Sequence, residues 1–354
     1  MKSLRLIMAP RQTGFTLVEL MVGMAIGLFL VLVITQVMSV FESRNRATMG
    51  NADAQTNGGI ALYTIGRDLQ MAGYSLLPEA SSGLECTALT ISVAGITDIT
   101  PIAITDGVAS AGVSASDTIT VRYGSSMKGG VMTPITANPP YTSNDVPVKS
   151  NTACRLNDAA LVVDGSVCYL RTVAGPADIG KYDSTNFTTI KLDNTTGAKS
   201  NANIACLGGW SQITYAVSNG NLTRNGVPML SGVVNMQAQY GISATANSNQ
   251  ITQWMDATGA TWAAPDLANR NRIKAVRLAV VARNDKIDLA TVTNSCSSTT
   301  GASPTGLCAW VGSATSPAPA IDLSPGDANW QRYRYRVFET TIPLRNVIWS
   351  KETL

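Results

Sequence analysis

The chain of 354 residues is 45% hydrophobic and only 14% charged, and much of the remainder is Ser, Thr, Asn and Gly, which is typical of short strands joined by many turns. It contains no histidine, which excludes Ser-His-Asp and Cys-His catalytic sites, histidine metal ligands and the commonest general base, so we predict neither an enzyme nor a cofactor or metal site. The net charge of +3 equals the contribution of Lys2, Arg5 and Arg11, so the rest of the chain has no basic excess that would indicate a nucleic-acid partner.

An apolar run near the N-terminus predicts a membrane helix. Between Leu20 and Val40 the only polar side chains are those of Thr35, Gln36 and Ser39. About twenty helical residues span the roughly 30 Å hydrocarbon core of a bilayer, and the run is too long for the apolar part of a secretory signal. The three basic residues named above precede the run, and short flanks rich in Lys and Arg stay in the cytoplasm. We therefore expect the bulk of the chain to lie outside the inner membrane, in the periplasm or beyond.

The residues at the start of this run form a motif. Residues 14–20 read GFTLVEL, and this sequence resembles the processing site of type IV prepilins and type II secretion pseudopilins. The resemblance implies that a prepilin peptidase cleaves after Gly14 and methylates the new N-terminal residue, Phe15. It also implies that Glu19 pairs with the terminal amine of a neighbouring subunit. A carboxylate in an apolar helix is costly, and the attraction of such a pair at about 4 Å is on the order of 4 kcal/mol, so the pair would set the register between subunits.

The helix is expected to continue beyond the membrane. Leu62, Ile65, Leu69 and Ala72 recur at helical spacing, and Gly73 is a typical C-terminal stop. These patterns divide the chain into a leader at 1–14, a helix at 15–73 with its membrane part at about 15–41, and a β-rich head at 74–354.

Alternating apolar and polar residues predict strands in the head. They occur around residues 118–123, 213–217, 234–242 and 274–283, and Asn219-Gly220 indicates a two-residue hairpin. Alternation around residues 333–337 favours a strand with Tyr333, Tyr335 and Val337 facing inward over a stretch that contacts nucleic acid. One face of the third strand is expected to carry Val234, Met236, Ala238, Tyr240 and Ile242. Because no βαβ rhythm occurs, we predict an α+β fold in which the N-terminal helix packs on an antiparallel sheet.

Two segments, 125–205 and 291–328, are rich in turn-forming residues and are expected to be long loops or small subdomains. We expect disulfides, because the count of cysteines is even and the chain follows a membrane segment; the six are Cys86, Cys154, Cys168, Cys206, Cys296 and Cys308. Six cysteines allow 15 pairings. Loop length favours Cys154–Cys168 and Cys296–Cys308, which leaves Cys86–Cys206 by elimination.

Further stretches resemble the PilW family of type IV pilus proteins. They read RDLQMAGY at 67–74, WSQITY at 210–215, NLTR at 221–224 and TIPLRN at 341–346. The resemblance implies a minor pilin that primes or caps the pilus at its tip, stored in the inner membrane and then moved into the filament. Its implied partners are the prepilin peptidase, other minor pilins, the major pilin and a tip adhesin. Two alternatives stay open: a GspJ-like pseudopilin of type II secretion, and a single-pass anchored periplasmic binding protein or enzyme.

Overall fold

The computed structural model describes residues 14–76, 86–111, 114–136, 143–181, 184–198 and 202–349. These residues fall into two units, which divide between Gly50 and Asn51. The cleaved leader predicted for 1–14 lies outside the described residues except for Gly14, and so do its basic residues.

The first unit belongs to α1, which runs Leu17–Met71. Its stretch Leu17–Glu42 is 26 residues long with a mean hydropathy of 2.7, and none of it is buried. By length and composition this stretch can cross a membrane, which confirms the prediction of a membrane helix.

The second unit contains the rest of α1 and all of the described strands. Ala61, Ile65 and Leu69 of α1 are fully buried, as is Ala72 just after it, while Leu62 is half-buried. The predicted stripe is therefore confirmed. The chain leaves the helix through Gly73, whose φ of +76° suits the turn that follows.

In the described residues the strands are, in chain order, β1 Ala88–Ile91, β2 Ile102–Thr105, β3 Thr118–Gly124, β4 Met132–Pro134, β5 Asp145–Pro147, β6 Ala159–Asp164, β7 Val167–Gly175, β8 Thr189–Leu192, β9 Asn203–Gly208, β10 Trp210–Ser218, β11 Asn221–Arg224, β12 Val227–Ser231, β13 Val233–Ser243, β14 Ile251–Met255, β15 Ile273–Arg283 and β16 Tyr335–Pro343. The short helices are α2 Gly259–Trp262, α3 Leu267–Arg270 and α4 Arg345–Trp349.

Two antiparallel sheets enclose the buried face of α1. One has the order β12-β11-β10-β3-β2 and the other the order β14-β13-β15-β16. Their inner faces form a single core with α1, in which the largest fully buried side chains include those of Tyr215 and Tyr240. The β10–β11 hairpin turns at Asn219 and Gly220, with φ of 50° and 71°, as the sequence predicts.

The two sheets are joined where β3 begins, at the side chain of Asp117. Its Oδ1 accepts a hydrogen bond from the backbone N–H of Gly107 at 3.1 Å, and its Oδ2 accepts one from the N–H of Ala238 in β13 at 2.7 Å. The carboxylate thus accepts the backbone hydrogen bond of Ala238 that a neighbouring strand would otherwise accept.

One strand face differs from the prediction. Met236, Ala238, Tyr240 and Ile242 do share the core of α1, but Val234 packs in a separate cluster on the other side of the sheet. A register shift between Val233 and Asn235 in the β13–β15 ladder is the cause, because an extra residue reverses the alternation that precedes it.

Residues 125–205, predicted as loops or a small subdomain, form a β-barrel. Its sheet has the order β4-β9-β6-β7-β8-β5, and a bridge between Ile135 and Val148 joins the last strand to the first. Strand β1 pairs with β7 from outside, in the one parallel pair among the described strands. The barrel is inserted between β3 and β10, which are direct neighbours with Gly124 opposite Trp210.

The six cysteines form three disulfides, Cys86–Cys168, Cys154–Cys206 and Cys296–Cys308. The prediction of disulfides and the pairing Cys296–Cys308 are confirmed, whereas the pairings Cys154–Cys168 and Cys86–Cys206 are wrong. Cys154 and Cys206 point into the barrel, while Cys168 points out toward the segment that carries Cys86. The face of each strand, rather than loop length, therefore decides the pairing.

The second turn-rich segment, 291–328, covers the outer face of the β13–β16 sheet. Its Leu307, Ile321 and Leu323 pack with Val281 of β15 and with Trp330. Farther along the same face, the guanidinium of Arg277 lies 4.6 Å from the ring of Trp254 and 4.2 Å from that of Trp310. The segment is thus fixed to the sheet by apolar contacts and by a cation stacked between two indoles.

Candidate assembly site at the helix start and its support in the head

The residues of the predicted processing motif meet at the first turn of α1. Thr16 lies just before the helix, and its Oγ1 accepts a hydrogen bond from the N–H of Glu19 at 3.3 Å. In return, Oε2 of Glu19 accepts one from the N–H of Thr16 at 3.1 Å and one from its hydroxyl at 3.0 Å. This reciprocal arrangement is a capping box, which satisfies backbone donors that the helix start leaves open.

The capping box fixes the position of the Glu19 carboxylate. Both contacts use Oε2, so Oε1 is turned away from Thr16. Phe15 precedes the box and its side chain is 88% exposed, while Gly14 is exposed and a Cβ added there would meet nothing within 4 Å. Gly14 and Phe15 are therefore both exposed, and the carboxylate is held within one helical turn of Phe15, which the predicted cleavage would make the N-terminus.

Thr16 is a functional residue that sequence reasoning misses. The signal is present, because Thr-x-x-Glu before an apolar run is the sequence pattern of a capping box. The expected pairing of Glu19 with another subunit hides its second role, which lies within its own helix.

A second polar cluster ties the far half of α1 to the head. The hydroxyl of Tyr215 in β10 donates to Oδ2 of the buried Asp68 at 2.6 Å, and Nη2 of Arg224 in β11 lies 3.2 Å from the same oxygen. Nε of Arg224 also donates to the Tyr215 hydroxyl at 3.3 Å. Burial, together with the hydrogen bond to Asp68, raises the pKa of Tyr215 far above its ordinary value, so the phenol stays protonated and donates.

These three residues come from three of the stretches that resemble the PilW family. Asp68 lies in 67–74, Tyr215 in 210–215 and Arg224 in 221–224. The fold brings the stretches together at one ion pair, in which Asp68 is buried and Arg224 is partly exposed. Among the described residues, no group of three or more His, Cys, Asp or Glu side chains is placed to hold a metal ion.

Comparison with known protein families gives two matches. The family described as Type IV Pilus-assembly protein W matches residues 208–346, and the prokaryotic N-terminal methylation motif matches residues 9–35. These two matches support a PilW-family type IV pilin. A comparison with curated proteins finds no match.

The two matches cover separate parts of the chain. The first contains Gly14, Phe15 and Glu19, and with the apolar helix it describes a membrane-anchored pilin that is later incorporated into a pilus. The second begins two residues before Trp210, at the start of β10, and extends into α4. The barrel lies between the two matches, outside both.

Proposed function

We propose that this pilin is a minor pilin that primes or caps assembly at the tip of a type IV pilus. Its mature form would consist of the helix at 15–73 and the head at 74–354. The observation that carries the proposal is the barrel, which is attached where α1 ends. The N–H of Gly124 donates to the carbonyl of Tyr74 at 2.8 Å, and the Tyr74 hydroxyl donates to the carbonyl of Ser126 at 3.1 Å.

The position of the barrel favours the tip over the shaft. Leu76, just past the helix, is buried in the cluster formed by the outer face of the barrel, so the added domain continues the head beyond the end of α1. In a filament of stacked pilins, that end of the head faces the next subunit. A domain of this size obstructs stacking in the shaft, whereas a subunit at the tip has no neighbour on that side.

The N-terminal motif supports the assembly step itself. The prepilin peptidase would cleave after Gly14 and methylate Phe15, and the amine of Phe15 in one subunit would pair with Glu19 of another. Such a pair at about 4 Å is worth on the order of 4 kcal/mol at an intermediate dielectric, and a subunit out of register would leave a charge buried and unpaired. The proposed partners are therefore the peptidase, the other minor pilins and the major pilin, with a tip adhesin as a further partner of the exposed barrel.

Two variants of Glu19 test the assembly step. We expect Glu19→Ala to insert into the membrane normally but to be depleted from sheared filaments, because both the inter-subunit pair and the capping box are lost. Glu19→Gln keeps an oxygen for the capping box but carries no charge. If it is depleted as strongly as Glu19→Ala, the charge is what assembly needs; normal incorporation of Glu19→Gln would contradict the proposed pair.

The location is tested by immunogold labelling of intact pili with antibodies against this chain, with a strain lacking the chain as control. We expect one labelled end per filament. Label distributed along the shaft would contradict the tip assignment. Mass spectrometry of the same filaments should show a peptide that begins at N-methylated Phe15, and a retained leader together with absence from filaments would reject the proposal altogether.

A further inference from the structure

We propose that the end of the head opposite the barrel is the surface by which this chain docks on the head of another pilin. This inference rests on the proposed tip location, because a tip subunit has a pilin neighbour on one side only. We call this surface the lower face and define it by the cleft lined by Ser218, Asn219, Arg283 and Asp327, together with the loop 285–292 beside it.

The lower face is set by the ends of the strands. β10 and β15 end there, at Ser218 and Arg283, while β3, β13 and β16 begin there. The barrel is attached at the other end of β3 and β10, at Gly124 and Trp210. On the side of the lower face, Nδ2 of Asn57 in α1 donates to the carbonyl of Ser231 at 3.0 Å. The lower face therefore lies beside the turn of α1 that carries Asn57.

The cleft has a volume of about 350 Å³, which is large enough to receive a side chain or a short loop. Its walls carry hydroxyl, amide and backbone groups from the β10–β11 hairpin and from residues 323–327. Nη1 of Arg283 lies 3.0 Å from Oδ2 of Asp327, and its guanidinium lies 4.3 Å from the ring of Tyr333. The polar groups are thus held in place before any partner arrives, which lowers the cost of binding.

The loop beside the cleft exposes apolar side chains in a fixed position. Leu289 is 98% exposed and Ile287 is 45% exposed. The loop is nevertheless anchored, because the N–H of Asp288 donates to the carbonyl of Arg332 at 2.8 Å and Oδ2 of Asp288 lies 2.9 Å from Nε of Arg334. The two side chains present apolar surface in a fixed position, on which a partner can pack.

The charges around the cleft indicate the chemistry of the partner. Residues 283–288 and 327–336 contain five basic side chains, those of Arg283, Lys286, Arg332, Arg334 and Arg336. The same ranges contain three acidic ones, those of Asp285, Asp288 and Asp327. The excess of positive charge fits a partner head whose contacting surface is acidic and offers an apolar pocket for Leu289.

Photo-crosslinking in the native cells tests this contact. A photoreactive residue replaces Leu289 in the full-length chain, and a matched control carries it at Val131, which is 58% exposed at the barrel end. We expect position 289 to crosslink to a different pilin, identified by mass spectrometry, in membranes and in sheared filaments, and position 131 to give no pilin adduct. A crosslink from 289 to a second copy of this chain or only to lipid would overturn the proposal.

A substitution supplies a second readout. We expect Leu289→Asp to lower the amount of this chain in filaments about tenfold at unchanged membrane levels, because an aspartate cannot enter the apolar pocket that receives the leucine. Val131→Asp should leave incorporation unchanged. If Leu289→Asp incorporates normally while labelling remains at the tip, the lower face is wrong and the tip location stands; if wild-type label lies along the shaft, the tip location itself fails.

Discussion

The barrel and the C-terminal sheet are both β-structure, but they are held together by different means. The barrel is closed on itself, has its own apolar interior and contains or anchors two of the three disulfides. The sheet of β13–β16 packs on α1 through apolar side chains and is joined to the other sheet by Asp117. Asp68 of α1 binds Tyr215 and Arg224 of that other sheet.

The family match covers one side of each of these polar contacts. The region matched by the PilW family contains Tyr215, Arg224 and Ala238, which bind these two carboxylates, whereas Asp68, Asp117 and nearly all of the barrel lie outside it. The head therefore combines a helix–sheet part, where polar contacts join α1 and the two sheets, with a barrel that is stabilised by covalent links. The following experiments separate the two.

The largest effect is expected from removing the disulfide that ties β1 to the barrel. Cys86 and Cys168 are 82 residues apart, and closing such a loop is worth about 4.5 kcal/mol in the chain-entropy account of disulfides. We expect the double variant Cys86→Ser/Cys168→Ser to lose about that much stability in chemical unfolding of the detergent-solubilised chain. Hydrogen exchange should locate the loss in the barrel.

The disulfide Cys296–Cys308 is the control for this prediction. It closes only 12 residues, so its removal should cost about 3 kcal/mol and should increase exchange in 291–328 without affecting the barrel. Equal losses for the two double variants would show that loop closure is not what the longer disulfide contributes.

The helix–sheet part is tested at Asp68, which is 3% exposed and binds both Tyr215 and Arg224. Asp68→Ala should destabilise the head by about 3 kcal/mol, because it leaves a buried hydroxyl and a guanidinium without their acceptor. Arg67→Ala is the matched control: its Nη2 lies 3.9 Å from Oδ1 of Asp68, but its side chain is 66% exposed, so we expect a change below about 0.5 kcal/mol. Comparable losses in the two variants would contradict the role of the buried cluster.

The link between the sheets should depend on pH. Burial raises the pKa of Asp117 to about 7 from the ordinary value of 3.8, so between these values the folded chain binds more protons than the unfolded chain. Stability from this group is therefore gained as pH falls, by about 2 kcal/mol between pH 8 and pH 5.5. Thermal unfolding at the two pH values measures the gain.

Asp117→Asn should remove most of this pH dependence. It should also lower stability at both pH values, since an amide accepts through one oxygen and cannot serve both Gly107 and Ala238. A variant with the full wild-type slope would assign the pH dependence to other buried carboxyl groups such as Asp256, whose pKa is also raised by burial.

The smallest effect concerns two neighbouring glycines of α1. A Cβ on Gly58 would overlap the ring of Phe338 in β16, whereas a Cβ on Gly59 would meet nothing. We expect Gly58→Ala to destabilise the head by roughly 1 kcal/mol through overpacking, and Gly59→Ala to stabilise it by up to about 1 kcal/mol through helix propensity. Stabilisation by both substitutions would mean that the ring moves aside without cost.

The sequence predicts the helix–sheet part, made of α1 and the two sheets around it, better than it predicts the barrel, and the reasons are physical. The apolar face of α1 and the Asn219-Gly220 turn are local patterns, and both are confirmed. The prediction for Val234 is wrong because a bulge reverses alternation without leaving a local signal. The barrel is visible in the sequence only as a turn-rich segment, because its strands are short and its closure, Ile135 to Val148, depends on pairing between loops.

The residues of the assembly site and of the Asp68 cluster differ in the same way in how well the sequence predicts them. Gly14, Phe15 and Glu19 lie within six consecutive residues and form one recognisable motif, and their roles in processing and pairing stay predictions. The Asp68–Tyr215–Arg224 cluster is not foreseen, because Asp68 is 147 and 156 residues away from its partners. Residues that act through local spacing are visible in a single sequence, whereas those that act through the tertiary fold are not.

The insertion point between β3 and β10 has a consequence for engineering. Gly124 and Trp210 are adjacent across a ladder, so the two ends of the inserted chain are about 5 Å apart, which is the spacing that a simple hairpin turn bridges. A different domain whose termini are equally close can thus take the place of the barrel, provided that it covers Leu76 and that Cys86 and β1, which bind the barrel, are replaced with it. The rest of the head then carries the new domain, whose surface chemistry is presented at the proposed pilus tip.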